Sequence, residues 1–308
     1  MEVAVTPWSH NINWFADDLC EQAVLAEKMG FHSFWLPENH FGDSKAIPSP
    51  LTLLAAVAAR TSRIKLGTTS YLLTIRNPIQ AAEEVAVLDQ LSKGRLILGV
   101  GRGVQDSMFK VFDLPVKDKR KIFQANLDIM RNAWLGQTLL IDDNSTILSP
   151  LPFQKPYPPI WVAAFGPLAL KQAGRLGLPY LASPVETLDT LKQNYSLHQE
   201  TMDQAGHKKN TVIPVMRTVF VSDKKNLISK AKQALRNAPT HQMRLKDRAI
   251  EDWTIIGDAK LVHDKIQEYQ ESLGMTLLIA RGRLPEIDND SQLESHQKLI
   301  TLSKQLRN

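Results

Sequence analysis

The sequence predicts an α/β fold, a (β/α)8 TIM barrel with insertions, and three observations predict it. Short apolar runs alternate with longer helix-periodic segments, and eight such runs fall along the 308 residues. Runs such as Leu96-Ile97-Leu98 and Leu277-Leu278-Ile279 are continuously apolar, as parallel strands covered on both faces require. No Pro-Gly-Ser linker divides the chain, so residues 1–308 read as one domain. An open doubly wound sheet also alternates, but it usually has fewer strands and a clear phosphate fingerprint.

The elements follow in order. Glu2–Thr6 reads as the first strand. A helix over Trp14–Met29 follows, with Asn13 as its N-cap and Gly30 as its stop. Ser33–Pro37 is the second strand, and Pro50–Thr61 is a helix opened by proline. Ile64–Ser70, helix Pro78–Leu91 and strand Arg95–Gly101 come next, then helix Lys119–Leu135. A hairpin is predicted over Leu139–Ile141 and Thr146–Leu148, turning at Asp143-Asn144. Residues 150–159 hold five prolines and form an extended connector. Strand Ile160–Phe165, helix Leu168–Leu176, strand Tyr180–Ser183 and helix Thr187–Ala205 follow. The rest is strand Thr211–Val221, helix Asp223–Arg236, helix Ala259–Leu273, strand Met275–Ala280 and helix Gln292–Leu306. Asn237–Trp253 lacks strong periodicity and reads as a mobile loop at the active-site end.

Composition narrows the function classes. The single cysteine, Cys20, excludes an intramolecular disulfide and a thiolate cluster. The N-terminus has no signal-peptide pattern, and the nearly apolar run Leu51–Ala59 is far short of a membrane span, so the expected location is the cytoplasm. The net charge of +5 is uneven, with 15 basic and 16 acidic residues up to residue 154 and 22 and 16 after it. The excess lies mainly between Lys208 and Arg248, on a helix-periodic segment where a solvated face accounts for it, and no nucleic-acid motif accompanies it. The eight histidines form no His-x-His pair and no His-Glu-x-x-His helix, so no metal is expected. No Gly-x-Ser-x-Gly elbow occurs. A barrel lacking both signatures often borrows an organic cofactor.

In such a barrel the chemistry sits where the strands end. Gly99-Val100-Gly101-Arg102-Gly103 lets backbone approach a flat ring or phosphate, which Arg102 can grip with its fork; a plain turn with a surface ion pair reads the same run. His40, on the loop after the second strand, can move protons at neutral pH or simply order its loop. Trp8, Trp35 and Phe41 can wall a substrate or belong to the core. Arg281 and Arg283 can hold an anionic substrate or stand as loop cations.

These residues carry a resemblance. Ala26-Glu27-Lys28-Met29-Gly30-Phe31 followed by Phe34-Trp35-Leu36-Pro37-Glu38-Asn39-His40 resembles the opening of the bacterial luciferase-like flavin monooxygenase family. So do the runs 58–68, Asn77-Pro78 through Leu88-Asp89-Gln90-Leu91-Ser92-Lys93-Gly94-Arg95, Leu98 to Gly103, Pro158 to Ala163 and Ile256-Gly257-Asp258. The resemblance implies a (β/α)8 barrel and a reduced FMN cofactor, with deazaflavin F420 in one branch. It places Gly101 to Gly103 beside the flavin and its phosphate on Arg102 and Arg120. The resemblance further implies a non-prolyl cis peptide at Thr69–Ser70 that sets backbone against the ring, with Ala164 and Gly166 completing the cofactor site.

The function so implied is that of a flavin-dependent oxidoreductase, a monooxygenase using reduced FMN and O2 on a small organic substrate. An F420-dependent dehydrogenase and a non-catalytic flavin-binding barrel are the alternatives. His40 and Asn39 are the catalytic candidates, and Trp8, Phe41 and Arg281 the substrate contacts. A separate NAD(P)H:flavin reductase is the implied partner, and a homodimer the implied assembly. Two positions depart from the family's pattern. Asn39 stands where the family's luciferases carry their catalytic histidine, and Phe165-Gly166-Pro167 lacks the usual hydroxyl, leaving backbone N–H groups at a helix start. The Lys-rich composition, 22 Lys against 15 Arg, favours FMN over F420.

Overall fold

Strand and helix alternate as predicted in the computed structural model, which describes residues 1–9, 15–41, 46–139, 146–238 and 248–306. The first part of the chain gives β1 (Glu2–Val5), α1 (Phe15–Met29), β2 (Ser33–Leu36), α2 (Pro50–Arg60), β3 (Lys65–Thr68), β4 (Tyr71–Leu72), α3 (Pro78–Leu91), β5 (Leu96–Gly101), α4 (Asp106–Val111) and α5 (Lys119–Trp134). After the proline-rich connector come β6 (Ile160–Ala163), α6 (Pro167–Arg175), β7 (Tyr180–Leu181), α7 (Leu188–Gln204), β8 (Pro214–Val221), α8 (Lys225–Asn237), β9 (Thr254–Gly257), α9 (Ala259–Leu273), β10 (Leu277–Arg281) and α10 (Asn289–Gln305). All the strand pairs described are parallel.

Three elements escaped the sequence reading: β4, α4 and β9. Each is short, from two to six residues, and runs of that length carry too little periodicity to separate strand, helix and loop. Helix α10 starts three residues earlier than predicted, because Asp288 caps it by accepting from the Ser291 N–H. The Asn13 cap, most of the Leu139–Leu148 hairpin and the centre of the Asn237–Trp253 loop lie outside the described residues.

The chain divides into two compact units. One comprises residues 12–20 and 36–163. Its spine is β5, buried along its whole length, with β3, β4 and β6 as parallel neighbours in the registers Leu66↔Leu96, Tyr71↔Val100 and Leu98↔Ile160. Two polar anchors fix the entry to this strand. Arg95 donates to the carbonyls of Ser92, Ile64, Ala58 and Thr61 and to the Thr61 hydroxyl, tying the end of α2 to the start of β5. The buried Asp89 carboxylate accepts the backbone and side-chain amides of Gln154, which holds the connector against the strand.

The other unit comprises residues 1–11, 21–35 and 164–308. Its strands run β2-β1-β10-β8-β9, with Val5 opposite both Phe34 and Ala280, Arg281 at the carboxyl end of β10 opposite Thr218 midway along β8, and Thr218 opposite Thr254 at the start of β9. Val215, Ile255, Leu278 and Ile279 are fully buried, as strands covered on both faces should be.

Candidate functional site

The predicted residues of the 36–163 unit gather at the carboxyl ends of β3 and β5 and on the loop after β2. The Thr69–Ser70 peptide at the end of β3 is cis and non-prolyl. Gly101 ends β5 directly against it: a Cβ there would lie 2.9 Å from Ser70 Cβ and closer still to its Oγ. Any side chain at 101 would fill this ledge, so glycine is required by space. Gly103 follows with φ +77, and a Cβ would meet the Met108 Cε at 2.6 Å. Between the two glycines, Arg102 is half-buried and fixed through its backbone, whose carbonyl accepts the Thr74 hydroxyl at 2.8 Å.

Burial, and the neighbouring charge of Arg120, hold the Arg102 guanidinium below its ordinary range. Arg120 stands in the first turn of α5 and is exposed. Two guanidinium groups near enough to repel one another favour an anion that both can grip. A phosphorylated flat ring suits these features, the glycine ledge for the ring and the arginine pair for the phosphate.

The loop after β2 presents His40 on a carboxylate. His40 Nε2 lies 2.7 Å from Glu38 Oε1, which also accepts Arg76 NH1 at 2.7 Å. Glu38 Oε2 accepts the Leu72 backbone N–H at 2.9 Å, and both carboxyl oxygens are buried. Because Arg76 and Leu72 are obligate donors to this carboxylate, His40 joins as a donor through Nε2, which leaves Nδ1 as the acceptor. The His40 ring packs against Phe112 at 5.3 Å and Phe41 at 5.8 Å. Phe41 is 55% exposed with φ +60. The Asn39 side-chain oxygen accepts the Ile47 N–H at 2.9 Å, which fixes the amide on its own loop and leaves its NH2 to meet a ligand.

Arg76 also stacks on the Tyr71 ring at 3.9 Å, and Tyr71 donates to Glu84 at 2.9 Å. Sequence reasoning missed Glu38, Arg76 and Phe112. Glu38 had a signal, since it stands two residues before His40 on the same loop; Arg76 and Phe112 are brought in by the fold and carry none.

The remaining candidates belong to the other unit. Trp8 is 2% exposed, stacks edge-on against His296 at 4.9 Å and spends its backbone N–H on Gln22. Trp35 is core, and its indole N–H donates to Ser33 Oγ at 2.7 Å. Ala164 is buried. Gly166 opens α6 with φ +82 and open space where a Cβ would stand. Arg281 ends β10 half-buried, its guanidinium held below its ordinary range by burial and by Arg283. Among the described residues there is no group of three His, Cys, Asp or Glu side chains that could hold a metal.

Comparisons with known proteins identify the family. The family model for luciferase-like monooxygenases matches residues 7–236. An uncharacterized protein of Sinorhizobium fredii is 35% identical over 211 residues, 66% of this chain and 60% of its own length. The alkanal monooxygenase alpha chain of Photorhabdus luminescens is 26% identical over 256 residues, 81% of this chain and 68% of its own. The oxygenase component of a flavin-dependent trigonelline monooxygenase from Acinetobacter baylyi is 26% identical over 217 residues, 67% of this chain and 59% of its own. The matched segments therefore span 59 to 68% of these three relatives.

Among solved structures, monooxygenase RslO1 from Streptomyces bottropensis superposes with a TM-score of 0.84 at 21% identity, covering all of both chains. The FMN-bound oxygenating constituent of 3,6-diketocamphane monooxygenase from Pseudomonas putida gives 0.81 at 20% identity, covering 97% of this chain and 96% of its own. An F420-dependent secondary alcohol dehydrogenase gives 0.78 at 18%, covering 98% and 99%. These likenesses establish the parallel α/β fold, and the match of the family model over most of the chain places it: the chain belongs to the luciferase-like monooxygenase family.

Proposed function

We propose that the chain is a flavin-dependent monooxygenase that uses reduced FMN and O2 on a small organic substrate. The observation that carries the reading is the pairing of Arg102 with Arg120 beside the Gly101–Gly103 ledge, an arrangement that fits a flat ring with a phosphate tail. Bound reduced flavin supplies two electrons for activating O2. The protein's own residues do the rest. Arg102 and Arg120 hold the phosphate, and Gly101, Gly103, Thr69 and Ser70 offer backbone to the ring. Ala164 and Gly166, the other expected cofactor contacts, belong to the other unit, where Gly166 offers backbone N–H groups at the start of α6.

His40 holds or moves a proton at Nδ1, with Glu38 fixing its tautomer through Nε2 and the Asn39 NH2 beside it. Phe41 and Phe112 shield that imidazole from water. Arg281 contacts the substrate, whereas Trp8, expected to do so, is buried against His296 and serves the core.

A relative named as an oxygenase component supports a separate NAD(P)H:flavin reductase as the partner. We also carry forward as proposals the single (β/α)8 barrel domain over residues 1–308, the homodimer and the cytoplasmic location. No helix among the described residues is long and apolar enough to cross a membrane.

F420 is the rival cofactor, because F420-dependent enzymes share the fold. The test is an anaerobic titration with photoreduced FMN and, in parallel, with reduced F420, followed by mixing with O2. The proposal expects saturable binding of reduced FMN and protein-dependent O2 consumption distinct from that of free flavin. Binding of F420 alone, or of neither, contradicts it.

A further inference from the structure

The carboxyl ends of β1 and β10, the middle of β8 and the start of β9 carry a layer of polar residues in parallel register. Arg281 stands opposite Thr218, and Thr218 opposite Thr254. Thr6 falls beside Arg281, since Val5 pairs with Ala280 and the Thr6 N–H donates to the Ala280 carbonyl. Partners in register in a parallel sheet point to the same face.

That face is fixed by its neighbours. Arg217 reaches the Tyr269 hydroxyl of α9 at 2.8 Å, so the side facing α9 belongs to Arg217 and the opposite side to Thr218 and Arg281. Gly282 agrees, because a Cβ there would run into His296 of α10 at 2.8 Å.

Two members of the layer are spent and two are not. The Thr6 hydroxyl accepts the Gly282 N–H, and the Thr254 hydroxyl donates to the Ile250 carbonyl at 2.8 Å. The Thr218 hydroxyl is sealed and has no partner. Among the described residues, the Arg281 guanidinium makes no hydrogen bond and no ion pair, yet its nitrogens are not among the sealed atoms and so reach solvent. Arg283 adds a second positive charge beside it. A crowded, unpaired cation is costly in a folded protein, and a ligand that brings the counter-charge removes the cost.

We propose that Arg281, in the polar layer with Thr218 and with Arg283 beside it, is the receptor for a carboxylate, and that the substrate of this protein is accordingly an organic carboxylate. The planar guanidinium fork matches the two oxygens of a carboxylate. The substrate assignment rests on the monooxygenase reading, whereas the anion site itself does not.

The test uses the whole 308-residue chain without flavin, titrated by calorimetry with sodium benzoate, sodium acetate, neutral benzamide and inorganic phosphate. Benzoate or acetate should bind saturably, with benzamide at least about tenfold weaker than benzoate. Arg281→Gln should weaken the carboxylate by about tenfold or more, and Arg281→Lys by less. Both variants should keep the wild-type melting temperature or exceed it in the absence of anion, because an unpaired charge has been removed or eased. FMN affinity should stay unchanged in both, which separates a substrate carboxylate from a flavin phosphate. The proposal is overturned if no carboxylate binds, if Arg281→Gln binds benzoate as well as wild type does, or if FMN or phosphate binding is lost with Arg281 while carboxylate binding is not. Failure of wild-type protein to bind FMN sinks the flavin reading and leaves the benzoate result standing.

Discussion

His40 Nε2 lies 2.7 Å from Glu38 Oε1, and the same oxygen accepts Arg76 NH1 at the same distance. With the Leu72 N–H on Oε2, three donors converge on one buried carboxylate. A carboxylate can accept all three, but a carboxamide has one oxygen to offer.

Glu38→Gln should keep its one oxygen on His40 and Arg76, where Oε1 already serves two donors, and turn its NH2 to the Leu72 N–H. The His40 hydrogen then stays on Nε2, and nitrogen-15 spectra of labelled protein should show the wild-type pattern of protonated and bare ring nitrogens. Stability should fall by about 1–3 kcal/mol from the Leu72 N–H left facing a donor, as read by denaturant unfolding. A changed tautomer contradicts the assigned network.

The arginine pair gives a second expectation. Arg120→Gln should weaken FMN binding about tenfold while leaving riboflavin, which lacks the phosphate, nearly unaffected. Fluorescence titration with both flavins checks it, and the FMN affinity should also fall with added salt. Equal losses for FMN and riboflavin would place the phosphate elsewhere.

Gly101→Ala tests the ledge. The added methyl meets Ser70 Cβ at 2.9 Å, so the variant should lose about 1–3 kcal/mol of stability by overpacking and should bind FMN more weakly. Chemical denaturation and FMN titration measure the two effects. A variant as stable as wild type shows that Ser70 yields at no cost.

His296 carries a pH expectation. Neither ring nitrogen has a partner, and burial pushes the imidazole from its ordinary 6.5 down to about 4. The folded value lies below the unfolded one, so the unfolded chain takes up the proton first. The folded state is then unpenalised above about pH 6.5 and loses stability as pH falls from there toward about 4, by up to about 3 kcal/mol. Burial moves His198 the same way, whereas it raises the Glu186 carboxyl. His296→Leu should flatten the part of the pH–stability curve that His296 supplies, as read by denaturant unfolding at pH 7 and pH 5.

Much of the fold was legible because its elements obey local rules. Helix α3 lies at Pro78–Leu91 as read, with proline at its first turn and the Asn77 side chain accepting the Ile79 and Gln80 N–H groups. Helix α9 was legible too, ending at Gly274 in the left-handed region. The ledge was legible in the glycine spacing, and the cis peptide in the resemblance.

What escaped depends on distance along the chain. Arg76 lies 38 residues from the Glu38 it neutralises, and no spacing rule joins them. Thr218 and Arg281 are neighbours only through strand register, so the unspent polar pair appears only once β8 and β10 are aligned. The bond to the Asn39 oxygen was equally hidden, since its partner is a backbone N–H eight residues on.

The central claim is tested most directly by a crystal structure of the protein soaked with FMN. The account places the phosphate within hydrogen-bonding distance of both Arg102 and Arg120, and the ring against Gly101 and the Thr69–Ser70 backbone. Density for FMN at another place, with those two guanidinium groups turned toward solvent, contradicts it.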